Sequence, residues 1–73
     1  MKMDRTTRKI QDLSDELEEA GHYVPPGMGR TIYCQINDLM MTVMRMTTQL
    51  ERKGLATPRM LKLRAQIKKA YSG

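Results

Sequence analysis

Side chains able to act as nucleophiles, acids, bases or metal ligands are few here. There is one His, at position 22, one Cys, at position 34, and a run of carboxylates at Asp12, Asp15, Glu16, Glu18 and Glu19. Covalent or acid–base catalysis needs such groups within hydrogen-bond reach of each other, with tunable protonation. His22 and Cys34 are twelve residues apart with no second ligand pair beside them, so neither a catalytic pair nor a zinc site is expected. Gly27-Met28-Gly29 is too short for a phosphate-cradling loop and lacks the strand that precedes one. A chain of 73 residues can also bury only a thin core, which leaves little room for a pocket. The residues predict no enzyme, no metal, no cofactor and no small-molecule substrate. His22 reads as a polar loop residue and Cys34 as a small helical thiol.

What remains is the chemistry of adhesion. The formal charge of +5 is unevenly spread. Residues 1–30 carry five cations against six carboxylates, a net −1, and residues 31–73 carry eight against two, a net +6. A basic half points to nucleic acid, an acidic protein surface or a membrane face. The acidic run would suit a basic partner, although the solvated face of an amphipathic helix explains it more simply. With a single cysteine no internal disulfide can staple the domain, which favours the reducing cytoplasm. No stretch approaches the roughly 20 apolar residues of a membrane-spanning helix. No apolar signal core follows the charged N-terminus, so the protein is expected to stay in the compartment where it is made.

These groups must be positioned by helices. Met3, Ile10, Leu13, Leu17 and Ala20 recur on one face, with Asp4 suited to cap the segment and Gly21 to end it. Arg5, Arg8 and Lys9 lie near its positive end and Glu16, Glu18 and Glu19 near its negative end, so this helix is weak alone and depends on packing. A loop follows, in which Pro25 forces Val24 out of helical geometry and Gly27 and Gly29 permit a turn. Ile32, Ile36, Leu39, Val43, Met46 and Leu50 then step alternately by four and three, a sustained heptad-like seam. Thr57-Pro58 starts a third segment, with Met60, Leu63, Ile67, Ala70 and Tyr71 as its apolar stripe. The expectation is one all-α domain over 1–73, with helices at about 4–20, 31–53 and 58–71 and a Pro/Gly loop between the first two.

Two surfaces on these helices suit a partner. At 100° per residue Tyr33, Met40 and Met44 flank the seam of the middle helix, while Met41 and Cys34 project nearly opposite it. Met40 fits an ordinary core position, and Met41 does not. Pliable thioethers left outside a core make an adaptable binding patch. The third helix spreads Arg59, Lys62, Arg64, Lys68 and Lys69 around its stripe, a face suited to phosphates. Gln66 is its sole amide and Tyr71 its sole aromatic, which disfavours base-specific reading and single-strand stacking.

The opening Met1-Lys2-Met3-Asp4-Arg5-Thr6-Thr7-Arg8-Lys9-Ile10, the loop Val24-Pro25-Pro26-Gly27-Met28-Gly29-Arg30, the Met-rich middle segment and the total length resemble a known group. It is the small phage-encoded transcription regulators, such as those of lytic Xanthomonas phages, that bind host RNA polymerase. The resemblance implies docking on the β′ N-terminal region and the β flap near the RNA exit channel. It implies inhibition of initiation by sigma-factor displacement, and antitermination helped by the elongation factor NusA. It also implies residence in the cytoplasm of the bacterial host. No motif carries individual site residues across, so these come from the surfaces above. Tyr23, Met28, Arg30, Tyr33, Met41 and Met44 are expected to contact protein, and Arg59, Lys62, Lys68 and Lys69 to lie near nascent RNA or another nucleic acid. Two rival readings are a small helix-turn-helix DNA-binding protein using the third helix, and a homodimer paired along Ile32 to Leu50.

Overall fold

The structure, a computed structural model, describes residues 4–72. Met3, placed by its spacing on the first apolar stripe, lies outside the described residues. The chain forms three helices, α1 (Arg5–Glu19), α2 (Ile32–Arg52) and α3 (Pro58–Ser72), with no strand among the described residues. This is the small all-α domain the periodicities predict.

Local chemistry sets the helix ends. The Asp4 carboxylate accepts the Thr7 N–H at 2.7 Å, the Thr31 hydroxyl oxygen accepts that of Cys34 at 3.1 Å, and Thr57 accepts that of Met60 at 3.2 Å. α1 and α2 stop in the same way. Gly21 donates to the Glu18 carbonyl and His22 to that of Leu17, and Gly54 and Leu55 repeat the pair on Glu51 and Leu50. Both arrangements need a left-handed residue, and Gly21 (φ 91°) and Gly54 (φ 73°) supply it.

Ile10, Leu13 and Leu17 of α1, Val43 and Leu50 of α2, and Met60, Leu63 and Ile67 of α3 make the core, joined by Val24 from the connecting segment. Thr47 is also fully buried, and its hydroxyl donates to the Val43 carbonyl at 2.7 Å, so no polar group is stranded there. The heptad-like seam is therefore turned inward at Val43 and Leu50, and pairing two copies along it would require opening the fold.

Two ion pairs fix the layout. Arg59 meets Glu16 at 3.3 Å, and Arg64 meets Glu51 at 2.9 Å and the Thr48 hydroxyl at 3.2 Å. The start of α3 thus lies beside the end of α1, and its middle beside the end of α2. Residues 20–31 connect the end of α1 to the start of α2.

The apolar stripes fade at their ends. Ala20, Ala70 and Tyr71 are exposed, because Ala20 is the C-cap beyond the last core turn of α1 and the others follow Ile67, the last core residue of α3. Ile32, expected in the seam, is 54% exposed. Its helix of 21 residues is about 31 Å long, against about 22 Å for each 15-residue neighbour, so its first turns outrun them.

Candidate functional site

Every fully buried residue of α2 lies at Val43 or beyond. Its N-terminal half is held instead by the connecting segment, which lies along it as a strap. The Met28 N–H donates to the Asp38 carboxylate at 2.8 Å, and the Gln35 side-chain amide donates to the Gly29 carbonyl at 3.1 Å. A Cβ on Gly27 would strike the Gln35 carbonyl oxygen, so only glycine permits this approach. Gly29 adopts φ 148°, and a Cβ there would crowd that of Cys34. Val24 anchors the other end of the strap in the core.

The strap leaves the outer side of α2 open. Tyr33 is 76% exposed and Met41 61% exposed, while Met40 and Met44 are half-buried against the core. Tyr33, Met40 and Met44 fall within a stripe of roughly 40°, and Met41 lies about 60° from Met44. Met28 and Arg30, both exposed, stand where the strap enters these same first turns. Five of the six residues expected to contact protein are therefore gathered around the N-terminal half of α2. Tyr23 is separate. It is exposed on the opposite flank, where the strap faces α1 and the Gln35, Ile36 and Leu39 side of α2.

Sequence reasoning missed Ile32 as a surface residue, because spacing alone does not say how far a neighbouring helix extends. It also missed Leu55, 59% exposed just past the glycine that ends α2, although the position after such a glycine is itself a signal.

On α3, Lys62 and Lys69 are exposed seven residues apart, within about 20° of each other around the helix. Lys68 is exposed on one side of them. Arg59 and Arg64 are each held by a carboxylate, Glu16 and Glu51 respectively. The basic face is thus narrower than five cations would make it. The Arg64 guanidinium, bonded to Glu51, holds that carboxyl below its ordinary value.

Among the described residues no group of three or more His, Cys, Asp or Glu side chains is placed to hold a metal ion. No helix among them is long and apolar enough to cross a membrane. Compared with known proteins, the chain matches no protein family, no curated protein and no solved structure.

Proposed function

We propose that this chain is a non-enzymatic transcription regulator that binds a bacterial RNA polymerase and acts in the cytoplasm of a bacterial host. The observation that carries the reading is the open N-terminal half of α2. There Tyr33 and Met41 expose apolar surface on the outer side of α2, with Met28 and Arg30 of the strap beside the same turns. Exposed apolar groups gathered on one side of an element mark interaction sites. Tyr and Arg are the types that anchor such contacts, and Met adapts its shape to the partner. The likeness of the sequence to small phage regulators supplies the partner's identity: the β′ N-terminal region and the β flap near the RNA exit channel. On this reading the bound chain displaces the sigma factor and, with NusA, carries elongating polymerase through terminators. Lys62, Lys68 and Lys69 then lie on the side available to nascent RNA.

The DNA-binding alternative draws on the same lysines. Glu16 and Glu51, bonded to Arg59 and Arg64, place carboxylates beside the helix that would enter a groove, which opposes a phosphate backbone there. The test is transcription on a template carrying a promoter and an intrinsic terminator. The chain added before sigma-dependent initiation should reduce transcript number, and added to elongating polymerase it should raise the read-through fraction. No change in either quantity would refute the proposal.

A further inference from the structure

Between the strap and the facing sides of α1 and α2 lies an open groove of about 410 Å³, at the small end of ligand-site sizes. It is on the opposite flank of α2 from the docking face and does not depend on the polymerase reading. Its apolar lining is Tyr23, Val24, Pro25, Pro26, Ile36 and Leu39. Its polar lining is Gln11, Ser14, Glu18 and Gln35.

Glu18 is the only ionised side chain in the lining, and it has no ion-pair partner among the described residues. Pro25 and Pro26 contribute carbonyls and no N–H. The side-chain amides of Gln11 and Gln35 each already donate a hydrogen within the chain, to Asp15 and to Gly29. Ser14 is only 4% exposed overall, and its hydroxyl, open to solvent at the groove, makes no hydrogen bond among the described residues. Thr42, Thr47 and Thr48 satisfy theirs on the preceding helical turn. The Ser14 hydroxyl is therefore left to bond to water or to whatever enters the groove.

The groove therefore offers one carboxylate without an ion pair, two amide oxygens that accept no bond among the described residues, a hydroxyl open to an incoming group, and an aromatic ring. We propose that it binds an extended polypeptide segment of a partner through an arginine side chain. The guanidinium meets the Glu18 carboxylate and stacks on Tyr23, the aliphatic stem covers the proline and Ile36 surface, and Ser14 bonds to the segment's main chain. A planar five-donor cation fits a set of acceptors better than the compact ammonium of lysine does.

The test titrates the full ¹⁵N-labelled chain with the capped peptide Ala-Ala-Arg-Ala-Ala and follows its amide resonances. Saturable shifts at Ser14, Glu18, Tyr23 and Gln35 are expected, with clearly weaker binding when Lys or Gln replaces the peptide's Arg. E18Q should weaken binding about tenfold, as expected for losing a charge-assisted hydrogen bond. S14A should weaken it as well, and it breaks no bond within the chain. E19Q removes a neighbouring charge outside the groove and should leave binding unchanged. Equal binding of the three peptides, shifts scattered over the acidic face of α1, or any other pattern among the three variants would overturn the proposal. This pattern is independent of whether the chain binds polymerase.

Discussion

At the scale of single residues, most of the determinants are capping groups and the carboxylates that serve them. Asp4 accepts the Thr7 N–H, and this bond, followed by one to the Thr7 hydroxyl, holds its carboxyl below the ordinary 3.8. Glu51 is held below 4.5 by its hydrogen bond from Arg64 and then by the charge of that guanidinium. A carboxylate depressed in the folded state binds fewer protons there than in the unfolded chain. Its contribution is complete above the unfolded value and is lost as pH falls through the folded one. Thermal melts followed by circular dichroism should therefore show Tm falling between about pH 5 and pH 2. The fall should be shallower in D4N, which keeps a capping side chain but cannot titrate, and shallower again in D4N/E51Q. An unchanged pH slope in both variants would remove these two groups from the account. Asp4, Thr31 and Thr57 were all legible as caps, because capping is decided within four residues of sequence. The Arg59–Glu16 and Arg64–Glu51 pairs were not legible, since they join residues that only the folded chain brings together.

At the scale of elements, the strap matters most. It stays against α2 because Gly27 has no side chain to hold it off the Gln35 carbonyl, and the Met28 N–H bonds to Asp38. In G27A the strap must lift or the first turn of α2 must shift, with a destabilisation of about 1–3 kcal/mol, typical of overpacking. Urea unfolding should show the lower midpoint, and the Met28 amide should exchange faster than in wild type as its bond to Asp38 is broken. Wild-type stability and Met28 exchange in G27A would show that the strap does not need glycine at position 27. The three helices could be read from the sequence because period and caps agree in each. The course of the strap could not, because Pro and Gly announce a departure from helix without giving its direction. The exposure of Ile32 could not either, since it depends on α2 being longer than both neighbours.

At the scale of the whole molecule, a small core drawn from three helices and one strap residue supports a surface divided by function. Acidic groups cluster on α1, lysines on α3, and apolar side chains on the free end of α2. The concentration of Tyr33 and Met41 on that end was foreseeable from the angles of the α2 wheel, whereas the separation of Tyr23 onto the groove side required the path of the strap. The central claim is that the open end of α2 adheres to a large partner, bacterial RNA polymerase. Direct binding of the purified chain to purified polymerase core tests it, comparing wild type with Y33S/M41S, whose replacements are exposed and leave the buried core untouched. Wild type should bind stably, and the double variant should bind at least about tenfold more weakly, as when exposed anchor residues are removed. Absence of binding by wild type, or equal affinity of the two proteins, would contradict it.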